Sequence, residues 1–175
     1  LQPDIKKDIL KEFYSSLMDE QIRHDLGEYY TPDWLAQHVL NTVGYEGQVA
    51  SKILDPTCGS GTFLVEAIKR LHKRCRAEKF DNSATLKQIL SSVKGLDLNP
   101  LAVISARANY ILALHDLVFE LGHDIEIPVY LADSINIPIH STDKNGDDYF
   151  CYTLETELAD LEIEFPRTNT TLRAY

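Results

Sequence analysis

The chain has 175 residues, of which 44% are hydrophobic and 25% are charged, and its net charge is −10 at pH 7. This composition predicts one globular domain, with or without a small appendage, that is long enough to bury a core. No apolar run approaches the length of a membrane span, which excludes a membrane protein, and the acidic balance argues against a module that binds nucleic acid strongly by itself.

The first predicted element is an amphipathic helix over residues 3–20, in which apolar side chains recur at helical spacing. A polar connection then leads to Thr31-Pro32-Asp33, which is typical of a helix start. Threonine is expected at the N-cap, proline at the first helical position and the acid near the positive end of the helix dipole. This second helix is predicted to end at Gly44.

Short apolar strands then alternate with helices. Strands are predicted over residues 51–54, 93–97 and 127–131, and helices after Gly61, over 84–90 and over 101–121. Asp81-Asn82-Ser83 can cap the helix over 84–90. The alternation predicts an α/β fold with a doubly wound, mostly parallel sheet, preceded by N-terminal helices. Right-handed crossovers bring the carboxyl ends of the strands to one edge, so Asp55, Asp97 and Asp133 are expected there.

The pattern changes after Ile139. Residues 141–148 are predicted to form a polar, turn-rich loop, and short strands are predicted within 149–165. The domain boundaries that follow are an N-terminal helical segment, residues 1–26, and one domain over residues 27–175.

The most informative stretch is the turn Asp55-Pro56-Thr57-Cys58-Gly59-Ser60-Gly61-Thr62-Phe63. Its two glycines let backbone amides approach a ligand, and the helix start offers unpaired N–H groups to an anionic group. No lysine follows Gly61, and the glycines are too close together for a triphosphate-binding loop. A ligand with a carboxylate and an adenosine fits better. Asp97 lies much further along than the roughly 20 residues of a dinucleotide fingerprint, which disfavours NAD.

The three cysteines show no metal-ligand spacing and no CxxC pair. Together with the lack of a secretory signal pattern, they favour reduced thiols in a cytoplasmic protein. Cys58 lies in the glycine turn, where packing as a small residue is the preferred interpretation over a nucleophilic role.

Four segments in order resemble the N6-adenine DNA methyltransferases whose cofactor motif comes first, namely the methylase subunits of type I restriction systems and the fused restriction–modification enzymes. The segments are Gly27-Glu28-Tyr29-Tyr30-Thr31-Pro32, the glycine turn, Gly95-Leu96-Asp97-Leu98-Asn99-Pro100 and Ala132-Asp133-Ser134. The resemblance covers roughly residues 10–135. It implies a Rossmann-like class I methyltransferase fold, incomplete in this chain.

The resemblance also implies S-adenosyl-L-methionine as the cofactor. Thr31 and the helix behind it are expected to donate to the cofactor's carboxylate, Asp55 to face its ammonium group and Asp97 to accept the ribose hydroxyls. The full set of implied cofactor-binding residues is Tyr29, Tyr30, Thr31, Pro32, Asp55, Pro56, Thr57, Cys58, Gly59, Gly61, Thr62, Phe63, Asp97, Leu98, Asn99, Asp133 and Ser134.

The adenine ring is expected between Leu98 and Pro100. Asp133 is expected to accept from its amino group and the Ser134 N–H to donate to a ring nitrogen. An aspartate at the end of a strand also commonly caps its own loop, and that alternative stays open for Asp133.

The family's catalytic motif is Asn or Asp followed by Pro-Pro and Tyr or Phe. The chain has seven prolines but no Pro-Pro pair, so it is expected to stop before the catalytic strand, and no catalytic residue is assigned. DNA contacts are then expected mainly through regions absent from the chain, with restriction or specificity subunits or a fused nuclease as partners and no membrane. The alternatives are a methyltransferase acting on RNA or on a protein glutamine, and a non-catalytic cofactor-binding module.

Two other features have a structural interpretation. The basic run Lys69, Arg70, Lys73, Arg74, Arg76 and Lys79 is expected to be a solvated helix end rather than a DNA contact. Trp34 is expected in the core or in the wall of the pocket.

Overall fold

The computed structural model describes residues 31–118, 124–136, 139–142, 148–154 and 161–166. The helix predicted over 3–20 lies outside these residues, as do Tyr29 and Tyr30. The chain divides into two compact units between Ala132 and Asp133, and each unit is described by itself.

The described part of the first unit is a parallel sheet with helices. The helices are α1 (Asp33–Thr42), α2 (Thr62–Ala77), α3 (Asn82–Ser92) and α4 (Pro100–Leu114), and a 3₁₀ turn (His115–Leu117) follows α4. The strands β1 (Ile53–Asp55), β2 (Val93–Asp97) and β3 (Val129–Leu131) pair in that order, all parallel. Among the described helices, none is long and apolar enough to cross a membrane. The predicted α/β class is confirmed, as an incomplete Rossmann-like fold.

The core lies between one face of this sheet and the helices α2, α3 and α4. Ile53 pairs with Val93 and Gly95 with Val129, so these residues share that face. The fully buried side chains that pack there include Leu64, Ile68, Leu71, Ile89, Tyr110 and Leu114. On the opposite face Leu54 is 59% exposed, so the described helices cover a single face of the sheet.

Two helix ends differ from the prediction. Pro32, not Thr31, is the N-cap of α1, because the backbone of Pro32 is extended (ψ 145°) and the helix begins at Asp33. Helix α4 ends at Leu114 rather than near residue 121, because His115 leaves the helical conformation with φ 20°.

Two strands begin later than predicted. β1 begins at Ile53 rather than residue 51, and β3 at Val129 rather than residue 127. Pro128 has no N–H to donate to a sheet, but its carbonyl accepts from the Gly95 N–H at 3.0 Å, directly before β3. The strand over Val93–Asp97 and the Asp81 cap of α3, whose carboxylate accepts from the Ala84 N–H at 2.7 Å, are as predicted.

The described part of the second unit is an antiparallel sheet. Its strands are β4 (Ile139–Thr142), β5 (Asp148–Leu154) and β6 (Leu161–Pro166), paired in chain order. β5 and β6 correspond to the two predicted strands. β4 was not predicted, and residues 141 and 142 had been assigned to a loop. This strand is short, polar and largely exposed, so it lacks the alternation that indicates a strand.

Candidate cofactor-binding site

The turn between β1 and α2 folds back over β2. The Cys58 N–H donates to the Leu96 carbonyl at 2.8 Å, and the Gly61 N–H donates to the Cys58 carbonyl at 2.8 Å. Gly59 (φ 54°) and Gly61 (φ 88°) both adopt left-handed conformations, which glycine enters without steric cost. The turn therefore needs both glycines, and it places the first turn of α2 at the carboxyl edge of the sheet.

Two close approaches fix the position of the turn. A Cβ atom on Gly95 would lie 2.7 Å from Leu64 Cδ1 and 3.1 Å from Cys58 Sγ, so a larger residue would require these side chains to shift where the start of α2 packs on β2. A Cβ atom on Gly61 would lie 3.3 Å from the Cα and Cβ atoms of Ala106, which belongs to α4. The turn therefore packs against β2 on one side and against α4 on another.

Asp97, the last residue of β2, lies beside the glycine turn and is hydrogen-bonded to it. Its Oδ2 accepts from the Gly59 N–H at 2.8 Å and its Oδ1 from the Asn99 N–H at 2.9 Å. These bonds use one acceptor position on each oxygen, and an ionised carboxylate has about four. A Cβ atom built on Gly59 would meet nothing within 4 Å, so the turn is open beside the carboxylate. The arrangement suits a ligand with neighbouring hydroxyl groups.

Asp55 supplies a second carboxylate at the same edge. Its Oδ1 accepts from the Thr57 N–H at 3.2 Å. Burial raises the pKa of Asp55, the Thr57 hydrogen bond opposes this, and the negative charge of Asp97 raises the pKa further. A cationic ligand group would stabilise the ionised form of this carboxyl.

Cys58 packs inside the turn. Its side chain is 6% exposed, and burial, with the charges of Asp55 and Asp97, raises the pKa of the thiol to about 12. Because the thiolate is the nucleophilic form, this cysteine is unreactive at neutral pH. The packing interpretation is supported over the nucleophilic one.

Helix α1 begins with bonds within itself and is attached to α2 beyond its first turn. The N–H groups of Leu35 and Ala36 donate to the Pro32 carbonyl, and no side chain caps the helix at Pro32. Further along, Arg70 of α2 donates to the Gln37 carbonyl. Trp34 is 67% exposed, so it is not a core residue.

The basic run on α2 forms structural contacts. Arg70 pairs with Glu66 at 2.9 Å and also donates to the Tyr45 carbonyl at 2.7 Å. Arg74 pairs with Glu78 at 2.6 Å. Arg70 is therefore not solvated as expected, because its side chain is only 15% exposed. The other five residues of the run are exposed, as expected, and the absence of a DNA contact stays a prediction.

Exposed apolar residues follow Asp97 directly. Leu98 is 69% exposed and Pro100 is exposed at the first position of α4. The Asn99 side chain caps α4 by accepting from the Leu101 N–H at 2.9 Å. The apolar residues are therefore available to a ligand, while Asn99 is occupied with the helix.

Asp133 and Ser134 begin the second unit. Oδ1 of Asp133 accepts from the N–H groups of Ile135 (2.8 Å) and Asn136 (3.1 Å), and these bonds lower the pKa of the carboxyl. This is the loop-capping alternative raised by the sequence. Binding of adenine by Asp133 and Ser134 stays a prediction.

One residue of this region was missed by sequence reasoning. Asn109 of α4 is 7% exposed, and its Nδ2 donates to the Ser60 carbonyl in the turn at 3.0 Å. The available signal was the one amide side chain in a mostly apolar helix, because a buried asparagine requires polar partners.

A parallel sheet with a glycine turn and two carboxylates at its carboxyl edge is typical of a Rossmann-like fold. The family model described as N-6 DNA Methylase matches residues 5–150. The chain therefore belongs to the N-6 DNA methylase family.

Individual relatives are much longer than this chain. The adenine-specific methyltransferase PglX of Streptomyces coelicolor is 33% identical over 115 residues, which are 59% of this chain and 9% of that protein. The type I restriction enzyme EcoEI methylase subunit of Escherichia coli is 27% identical over 133 residues, which are 75% of this chain and 24% of that subunit.

A solved structure shows the same fold. It is a nuclease-deletion mutant of the type ISP restriction-modification enzyme LlaGI in complex with a DNA substrate mimic, with a TM-score of 0.51 and 18% identity. The match covers 76% of this chain and 12% of that one.

Proposed function

We propose that this chain is the S-adenosyl-L-methionine-binding part of a site-specific DNA methyltransferase that methylates adenine N6 in a restriction–modification system. The observation that supports this most is the position of the Asp97 carboxylate. It lies beside the glycine turn and accepts hydrogen bonds from the Gly59 and Asn99 N–H groups. Family membership and the names of the relatives, which are adenine-specific and restriction methylases, support the reaction class.

The residues at the sheet edge fit the adenosine half of this cofactor. The remaining acceptor positions of Asp97 suit two ribose hydroxyls. The exposed side chains of Leu98 and Pro100 suit the faces of an adenine ring. Asp133 and Ser134 are proposed, from the sequence motif alone, to bind the polar edge of the ring.

The glycine turn fits the methionine half. The first turn of α2 has N–H groups that no intrahelical partner accepts and that no side chain caps at Gly61, and these suit the carboxylate. Thr31 and Pro32, with Tyr29 and Tyr30, are proposed to complete this end. Asp55 is proposed to face the ammonium group.

When bound, S-adenosylmethionine supplies an electrophilic methyl group on a sulfonium. The residues described here bind and orient that donor, which is the main task of a protein whose cofactor brings the reactive group. No Pro-Pro pair occurs in the sequence, so the groups that hold the target amine are proposed to come from residues outside this chain.

DNA, restriction or specificity subunits, or a fused nuclease are proposed as partners of the whole protein. The net charge of −10 suits DNA contacts made mainly elsewhere. A cytoplasmic location is proposed because none of the three cysteines, all of which are described, forms a disulfide. The names of the relatives favour DNA adenine over RNA or protein glutamine.

The cofactor class is tested by thermal unfolding of the chain with saturating S-adenosylmethionine or NAD. A ligand at about 100 times its Kd raises the free energy of unfolding by about 2.7 kcal/mol. We therefore expect S-adenosylmethionine, but not NAD, to raise Tm by roughly 5–10 °C. A rise with NAD and none with S-adenosylmethionine would contradict the proposal.

A further inference from the structure

Helix α4 contacts both halves of the candidate site. Its first residue is Pro100. The residue before it, Asn99, donates its N–H to the Asp97 carboxylate. Two turns further on, Ala106 packs on Gly61 of the glycine turn. The helix therefore extends from Asp97, proposed to bind the ribose, to the glycine turn, proposed to bind the methionine end of the cofactor.

Helix α4 is also joined to the glycine turn by a hydrogen bond between Asn109 and Ser60. Nδ2 of Asn109 donates to the Ser60 carbonyl at 3.0 Å, and both residues are buried, at 7% and 2% exposure. Within the turn the Gly61 N–H bonds the Cys58 carbonyl, whereas the Ser60 carbonyl accepts from α4. The amide thus fixes where the turn lies relative to α4.

We propose that Asn109 is a positioning residue, which holds the glycine turn at a set distance from Asp97 so that one ligand reaches both. The identity of that ligand rests on the proposed function. Asn109 touches the turn and not the reacting atoms, so its effect is on the joint binding of the two halves of the cofactor.

Tyr110 provides a matched control on the same helix. Its hydroxyl group, also buried, donates to the carbonyls of Ile89 (3.3 Å) and Val93 (3.0 Å). Val93 is the first residue of β2, at the end of the strand away from Asp97. Tyr110→Phe therefore removes a buried hydrogen bond of α4 without touching the turn.

The first test measures binding of S-adenosylhomocysteine and of 5′-methylthioadenosine, which lacks the amino-acid end. For Asn109→Leu we expect about ten-fold weaker binding of the former and less than about three-fold weaker binding of the latter. Tyr110→Phe is expected to change both equally or neither. The proposal is overturned if Asn109→Leu weakens the binding of both ligands equally, or weakens the binding of neither. Asn109→Ala, which adds no bulk, serves if the leucine variant does not fold.

The second test does not depend on the ligand. Hydrogen exchange at the Cys58 and Gly61 amides reports the turn, because these amides donate within it and to β2. We expect faster exchange there in the Asn109 variant than in Tyr110→Phe at equal global stability, and unchanged exchange overturns the proposal. If the wild type binds neither ligand but these amides respond, the proposed function fails while the positioning role stands.

Discussion

At the scale of single residues, Asp55 combines burial with a negatively charged neighbour. Both raise the pKa of its carboxyl above the unfolded value of 3.8. An ionised Asp55 therefore lowers the stability of the free protein at neutral pH, and this penalty disappears as the pH falls through the raised pKa. A bound ammonium group favours the ionised form, so binding of such a ligand releases a proton in that pH window.

We expect the affinity for S-adenosylmethionine to fall as the pH decreases from neutrality through the raised pKa of Asp55. Asp55→Asn keeps an acceptor for the Thr57 N–H but carries no charge, so it is expected to remove this pH dependence, to weaken binding about ten-fold at neutral pH and to raise Tm slightly. Isothermal titration at several pH values measures the first two effects. The same pH dependence in wild type and variant would rule out the assignment of Asp55 to the ammonium group.

Sequence reasoning placed the residues of the turn and Asp97 at the sheet edge, because the order of strands and helices determines that edge. It could not give the bond from the Gly59 N–H to Asp97, since the partners are 38 residues apart and meet only after the sheet has formed. The role of Asn109 was hidden for the same reason. The core alternative for Trp34 was wrong, because aromatic character alone does not indicate which side of a helix is covered, and a place in the wall of the pocket stays a prediction.

At the scale of elements, strong local signals gave accurate predictions and weak ones did not. The cap at Asp81 and the apolar strand Val93–Asp97 carry their own signals, and both were predicted. The end of α4 at His115 was not, because apolar residues continue to recur after it and the first glycine or proline is Gly122. The polar strand β4 has no signal apart from its pairing with β5.

The attachment of α1 to α2 depends on Arg70. Its guanidinium reaches two backbone carbonyls as well as Glu66, and the pair is largely buried, with 15% and 16% side-chain exposure. Arg70→Met is expected to lower the free energy of unfolding by about 2 kcal/mol, because the Tyr45 and Gln37 carbonyls lose a charged donor and Glu66 loses its partner in a largely buried pair. Chemical denaturation measures this value.

Arg74→Met is the matched control for that variant. Arg74 is on the same helix and pairs with Glu78, but its side chain is 50% exposed. An exposed pair of this kind contributes little, so the control is expected to change the free energy of unfolding by less than about 0.5 kcal/mol. Equal losses in the two variants would contradict the anchoring role of Arg70.

At the scale of the whole molecule, the chain spans 9% and 24% of the two relatives described above, and its described residues form only the proposed methyl-donor site. We expect no incorporation of labelled methyl groups into adenine-containing DNA when the chain alone is incubated with S-adenosylmethionine. The reason is that the sequence lacks the Pro-Pro motif of the family it resembles, whose Asn or Asp would accept hydrogen bonds from the target amine. Incorporation above a protein-free sample would show that other residues perform that task.

The central claim is that the edge formed by the glycine turn and Asp97 binds S-adenosylmethionine. Isothermal titration of wild type, Asp97→Ala and the control Asp81→Ala, which removes only the cap of α3, tests it most directly. We predict binding by wild type and by the control, and a loss of at least about ten-fold, or about 1.4 kcal/mol, for Asp97→Ala. No binding by the wild type, or unchanged affinity in Asp97→Ala, would contradict the account.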